Sequence, residues 1–343
     1  MNDIIKWGII GLGNVAYEFA KSFYNIKNAQ LIAIASKTQT NLIKFKDDFN
    51  IDSKNCYNEY ENLLKNKDVD IVYLALPNSL HNEWISKSMD LDKNILVEKP
   101  AFTNINDAKL LFKNPKLKQI FLGEGFMFRY HPQITKVIEI IKTNEIGKLV
   151  SMESFFGKNL LRKKNFFGFS KLKKIDNKKR IFNKNLGGGA ILDHGSYTIS
   201  MSLLIASLIK SININDVKLN IISKKNIPGE VDIDSEAELN FDNKFTSYIS
   251  ASFLKDLGSK TIIIGDSGKI IINDTWNYQK CEITLHNKEN KIFKFDNKKN
   301  TYSLEIEKIS EDILNNKKEA SFPGTTKNEI LISSQILDNW LNG

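Results

Sequence analysis

The chain has 343 residues, 41% hydrophobic and 26% charged, so it can bury a core without disulfides or metals and is not intrinsically disordered. Lys+Arg 49 against Asp+Glu 40 gives a net charge of +9, and that whole excess sits between Arg162 and Lys184, where ten basic residues accompany the single acid Asp176. The rest of the chain balances to zero, which argues against a nucleic-acid-binding protein and for one local, anion-facing segment. Cys56 and Cys281 show no metal-type spacing, nor do the four histidines, so no metal site is expected. The longest strongly apolar stretch beyond the first strand, 199–209, is about half of the ~20 residues that cross a bilayer. Together these features predict a soluble, cytoplasmic protein that binds no membrane.

In chain order, residues 4–11, 30–36, 70–76, 94–98 and 119–123 read as buried strands, with helical patterns at 14–25, 39–48, 81–91 and 104–112 between them. Strand and helix in alternation predict a doubly wound parallel sheet. From about residue 148 the rhythm changes to β-branched and aromatic runs joined by tight turns. Residues 237–241 and 245–253 flank Asp242-Asn243-Lys244, and 261–264 and 269–272 flank Gly265-Asp266-Ser267-Gly268. That half reads as a large, mostly antiparallel sheet, closed by helices at 302–315 and 326–341 on either side of Pro323-Gly324. The expected fold is therefore α/β, with a doubly wound domain over 1–124 and an α+β domain over 125–343.

The first strand runs into Gly11-Leu12-Gly13-Asn14-Val15-Ala16 and then a helix. This is the setting of a dinucleotide-binding turn: glycine for the tight bend at 11 and for close backbone approach at 13, with free helix amides for a pyrophosphate at Asn14 and Val15. The second strand ends Ala35-Ser36-Lys37, with no carboxylate to accept a ribose 2′-hydroxyl. A hydroxyl followed by a cation suits a 2′-phosphate, so NADP is favoured over NAD. Lys99 stands at the carboxyl end of a buried parallel strand, directly before Pro100, where ligands sit in open α/β sheets. Asp193 and Tyr197 are four residues apart and, if helical, share a face, setting a carboxylate beside a phenol.

Leu76-Pro77-Asn78-Ser79-Leu80-His81, Glu98-Lys99-Pro100 and Glu124-Gly125-Phe126-Met127-Phe128-Arg129-Tyr130-His131-Pro132 follow one another along the chain. With these motifs in order the sequence resembles the glucose-fructose oxidoreductase/inositol dehydrogenase/MocA (Gfo/Idh/MocA) family over essentially its whole length. Gly187-Gly188-Gly189-Ala190-Ile191-Leu192-Asp193-His194-Gly195-Ser196-Tyr197 is most similar to its dihydrodiol dehydrogenase and glucose-fructose oxidoreductase branch. The resemblance implies a Rossmann domain followed by an open-sheet domain, NADP or NAD as cofactor, hydride transfer on a sugar-like alcohol or ketone, and a homodimer or homotetramer. It implies Lys99, Tyr197 and Asp193 as catalytic residues, and cofactor contacts from Pro77, Asn78, His81, Glu98 and Lys99 besides the glycine turn, Ser36 and Lys37. Arg129, Tyr130, His194 and Arg180 are the expected substrate contacts.

Two readings of the basic segment stay open: a solvated loop, or a cationic collar for a nucleotide sugar or sugar acid. Two alternatives to a net dehydrogenase also stand, a catalytically silent NADP sensor and a cofactor-recycling epimerase or glycosidase.

Overall fold

The computed structural model describes residues 4–164, 170–172, 176, 178–227, 230–276, 281–295 and 300–343. In chain order the elements begin β1 (Ile5–Ile10), α1 (Asn14–Lys21), β2 (Ala29–Ala35), α2 (Gln39–Asp48), β3 (Cys56–Tyr57), α3 (Tyr60–Leu64), β4 (Ile71–Leu74), α4 (His81–Asp90), β5 (Asn94–Glu98), α5 (Ile105–Phe112) and β6 (Leu122–Gly125). Then come α6 (Pro132–Lys142), β7 (Leu149–Gly157), β8 (Arg162–Lys164), β9 (Ser170–Leu172), α7 (Ser196–Ala206), β10 (Val217–Asn226), β11 (Asp232–Phe241) and β12 (Phe245–Ser252). The series ends with β13 (Thr261–Gly265), β14 (Lys269–Ile272), β15 (Glu282–His286), β16 (Lys291–Lys294), α8 (Thr301–Leu314) and α9 (Lys327–Asn342).

Contacts divide the chain into two units, Met1–Tyr130 with Lys298–Leu331 and His131–Asn297 with Ile332–Gly343. A single boundary after residue 124, as read from the sequence, misses the return of the chain to the first unit. Ile306 and Ile309 on α8 explain that return: they are buried among Trp7, Ile9 and Phe19, and Trp7 Nε1 donates to Ser310 Oγ at 3.0 Å. An amphipathic helix goes where its apolar stripe finds a matching face, whatever its distance along the chain.

The first unit holds a six-stranded, wholly parallel sheet in the order β3-β2-β1-β4-β5-β6. Successive residues of β1, β4 and β5 point to opposite faces and both faces are covered, which is why these strands read as unbroken apolar runs. β3 and α3 escaped the sequence reading because two and five residues are too short to show a period.

The second unit holds an eight-stranded sheet, β10-β11-β12-β7-β13-β14-β15-β16, antiparallel except for the β7–β12 pair. Along β11 the residues Ala237, Leu239 and Phe241 are fully buried while Glu236, Glu238 and Asn240 are only partly covered, the alternation of a sheet with one packed face. All eleven residues of α7 are buried; a helix apolar all round belongs in an interior, and this one packs on β7 and β12.

Candidate active site

At the carboxyl ends of β1 and β4 the strand order of the first sheet reverses, and the glycine turn lies there. Gly11 has φ +89°, and a Cβ on it would sit 2.5 Å from the Ala75 carbonyl oxygen, so backbone and neighbour alike require glycine. Gly13 differs: its backbone is extended, and a Cβ there would meet nothing within 4 Å. Nothing in the unit itself demands glycine at 13, so the open space over it fits a cofactor that approaches the backbone closely. Gly13 also precedes α1 without any side-chain cap, leaving the first helix amides for an anion, and Asn14 and Val15 are exposed beside it. Asn41 Nδ2, unforeseen in the sequence, donates to the Leu12 carbonyl at 2.8 Å and braces the turn from α2.

Ser36 is buried, its hydroxyl accepting from the Thr38 amide at 3.1 Å, while exposed Lys37 lays its ammonium 5.6 Å from the centre of the Tyr60 ring. Pro77 and Asn78 open the short 3-10 turn after β4. The His81 ring is fully buried, with Nδ1 2.8 Å from the Pro100 carbonyl oxygen and Nε2 3.0 Å from that of Leu76. It ties together the loops that follow β4 and β5.

Lys99 follows β5, and its peptide bond to Pro100 is cis. Glu98 before it accepts from the Tyr73 hydroxyl and from the Lys99 amide, so its carboxylate is engaged by the protein. Acids that the sequence did not single out surround this loop. Glu124 on β6 accepts from the Ala101 amide at 2.8 Å, and burial pushes its carboxyl up to about 7. Glu305 on α8 is fully buried, with neither carboxylate oxygen hydrogen-bonded among the described residues; burial, then the Glu98 charge, hold it well above the usual range.

Arg129 and Tyr130, the expected substrate contacts, are both packed within the first unit. The Arg129 guanidinium is 1% exposed, bonded to Glu329 Oε1 at 2.9 Å and to the Pro323 carbonyl at 3.2 Å. The Tyr130 hydroxyl lies against Gly324, where a methyl group would collide with it. Arg129 fastens the turn around Pro323 within the first unit, and Tyr130 packs beside it.

In the second unit Gly187–Gly189 lead into a π-helical turn, Ile191–Gly195, continuous with α7. Such wide turns cluster at functional positions. Asp193 lies in this turn and Tyr197 on the first turn of α7. The Tyr197 ring packs edge-on to Phe156 at 5.3 Å and tilted to Trp276 at 5.5 Å. His194 stacks on Phe156 at 3.9 Å and its Nδ1 is 3.1 Å from the Ser252 carbonyl oxygen, so most of its surface is committed to the protein. Arg180 Nη2 bonds Asp193 Oδ1 at 3.2 Å, and its side chain is 38% exposed. Of the basic segment, β8 and β9 form a hairpin and Lys178 and Lys179 are exposed; Lys173 and Lys174 lie outside the described residues.

Residues 5–126 match the family model described as oxidoreductase family, NAD-binding Rossmann fold, and residues 134–271 that described as the GFO/IDH/MocA C-terminal domain. The chain belongs to the Gfo/Idh/MocA oxidoreductases. It is thus an NAD(P)-dependent enzyme, and the glycine turn is where this family member would hold its cofactor. The trans-1,2-dihydrobenzene-1,2-diol dehydrogenase of Xenopus tropicalis is 24% identical over 292 residues, 84% of this chain and 80% of that protein. The dTDP-3,4-didehydro-2,6-dideoxy-alpha-D-glucose 3-reductase of Saccharopolyspora spinosa is 27% identical over 198 residues, 57% of this chain and 54% of that one. Among solved structures, the aldose-aldose oxidoreductase of Caulobacter crescentus superposes with a TM-score of 0.83 at 20% identity, covering 98% of this chain and 96% of that one. A 3-ketoreductase of Actinomadura kijaniata, crystallised with NADP and TDP-benzene, gives 0.79 at 21% identity, with the same coverage. At such identities the structural likeness is one of fold.

The two glycines of the turn are separable by experiment. Gly13→Ala retains wild-type thermal stability and loses NADP affinity by tenfold or more in fluorescence titration, whereas Gly11→Ala lowers the melting temperature itself. Equal nucleotide affinity in Gly13→Ala and wild type would remove the cradle. Glu124 makes a prediction about pH. Its folded-state value lies near 7 against an ordinary 4.5, so the folded protein holds this proton more tightly than the unfolded chain does. Its contribution to stability is therefore full below pH 4.5 and is lost as pH rises through 7. Glu124→Gln shrinks the stability difference between pH 5 and pH 8, read by urea unfolding, by about 3 kcal/mol.

Proposed function

We propose that this enzyme moves a hydride between a nicotinamide, NADP in preference to NAD, and a secondary alcohol or ketone carbon of a sugar-like, anionic substrate. The observation that carries the reading is Asp193 in a π-turn with Tyr197 on the buried helix that continues it, in a chain whose other unit carries the open Gly13 cradle and Lys99. When bound, the nicotinamide supplies or accepts the hydride. The Tyr197 hydroxyl donates a proton to the carbonyl oxygen being reduced, or takes one from the hydroxyl being oxidised. Lys99 supplies a cation for that reacting oxygen, and Asp193 accepts a hydrogen bond from a substrate hydroxyl. Arg180, already turned onto Asp193 with its side chain part-exposed, binds the substrate's phosphate or carboxylate. The sugar-nucleotide 3-reductase and aldose oxidoreductase relatives support the substrate class, as do the exposed cations Lys178 and Lys179.

Tyr197→Phe and Lys99→Met should each lower kcat by about 10²–10⁴ with NADP affinity retained. Near-normal turnover in both would refute the assignment. A panel of neutral sugars, sugar acids and nucleotide sugars identifies the substrate, and stoichiometric NADPH formation or consumption separates net oxidoreduction from cofactor recycling.

Charge at the two ends of the reaction is tested by truncation. Lys37→Ala should raise KM for NADP by several-fold and leave KM for NAD in place. Arg180→Ala should raise KM for an anionic sugar and not for its neutral counterpart, by a factor that falls with added salt. A uniform change across both members of either pair would count against it.

A further inference from the structure

The helix that carries Asp193 and Tyr197 starts at a place where it cannot cap itself. Gly189, with φ +117°, has no side chain to offer the first helix amides, and Ala190 offers none either. The acceptor comes from another strand. Asp232, the first residue of β11, is 6% exposed, and its Oδ2 accepts from the Ile191 amide at 2.7 Å. The Ala190 amide also faces this carboxylate and favours its charged form. The two residues are matched in shape as well: a Cβ on Gly189 would stand 2.3 Å from Asp232 Oδ1, and one on Gly188 would stand 2.5 Å from the Arg180 carbonyl oxygen. The glycines thus let the chain come close enough for a side chain 41 residues downstream to serve as its cap. The same turn carries Arg180 on one side and Asp193 on the other, and these two are bonded to each other.

We propose that Asp232 is the positioning residue of this site: by holding the amides of Ala190 and Ile191 it sets the register of the π-turn and hence where Asp193 and Tyr197 stand. It touches none of the reacting groups assigned above, and its role in turnover rests on the reading of Tyr197 and Asp193 given there. Burial raises its carboxyl to about 6 while the amide bonds and the Lys224 charge pull the other way, so near pH 7.5 it is the anion, the form suited to two amide donors at a positive helix end.

The test uses Asp232→Asn, Asp232→Ala and the conservative Asp232→Glu in the full chain at pH 7.5. Hydrogen exchange at the amides of residues 190–193 is measured alongside kcat, substrate KM and NADP affinity. Exchange at those amides should rise at least tenfold in Asp232→Ala, less in Asp232→Asn, with exchange in β1 and β4 unchanged. For both variants kcat should fall tenfold or more with NADP affinity intact, and Asp232→Glu should recover part of both readouts. Wild-type exchange at 190–193 in Asp232→Ala overturns the positioning role, as does wild-type kcat with raised exchange. If exchange rises as expected but Tyr197→Phe keeps full activity, the assignment of Tyr197 fails and Asp232 still stands as the cap. Should Asp232→Ala not fold, Asp232→Asn alone decides: unchanged exchange and kcat together reject the proposal.

Discussion

The first amides of a helix need acceptors, and at the two helices that matter here the residue at the start is a glycine that cannot supply one. At α1 the amides beyond Gly13 are left for a ligand, with clear space above the turn. At the π-turn before α7 they are claimed internally by Asp232. The same backbone requirement is answered from outside the protein in one unit and from inside it in the other. This difference separates the proposed binding turn from the proposed positioning turn, although both look glycine-rich in the sequence. The remainder of each unit serves to bring the right neighbours to these turns: the reversal of strand order beside β1, and the start of β11 beside Gly189.

A second theme is acid in the wrong solvent. Glu124 and Glu305 are buried near the strand end that carries Lys99, and both are pushed toward the neutral form by loss of water. Glu98, between them in this environment, is engaged by the Tyr73 hydroxyl. One guanidinium, that of Arg129, is set deep in the same unit and is neutralised by Glu329. Buried charge of this kind costs stability unless it is paired, so its presence here marks a region where geometry has been kept at the expense of packing apolar residues. The amide of Ala101 held by Glu124 is the local example: the loop carrying Lys99 is fastened two residues past the lysine itself.

Much of the architecture was legible because it is written in periodicity. Continuous apolar strands announced a sheet covered on both faces, and the change after residue 148 to β-branched and aromatic runs joined by tight turns announced a mostly antiparallel one. The roles of polar residues were legible only where a turn type constrained them, as at Gly11. Arg129, Tyr130 and His81 stand in the motifs that carry the family resemblance; in the folded chain Arg129 bonds to Glu329 and to backbone, His81 lies between two backbone carbonyls, and Tyr130 lies against Gly324. A motif records that a residue type is needed and is silent about what it touches. Asp232 had no local signal at all, since Val231-Asp232-Ile233-Asp234 reads as ordinary strand edge.

The sequence by itself determined the class of fold, the place of the first glycine turn and the spacing of Asp193 and Tyr197, because hydrophobic period, glycine placement and residue spacing are properties of neighbouring residues. Tertiary structure decided everything that depends on partners far apart in the chain. It returned α8 to the first unit, where Ile306 finds Trp7, and it turned Arg129 inward onto Glu329. It left Gly13 open, and it brought Asp232 to the amide of Ile191. Burial, pairing and capping are settled by which surfaces meet, and linear spacing carries no record of that.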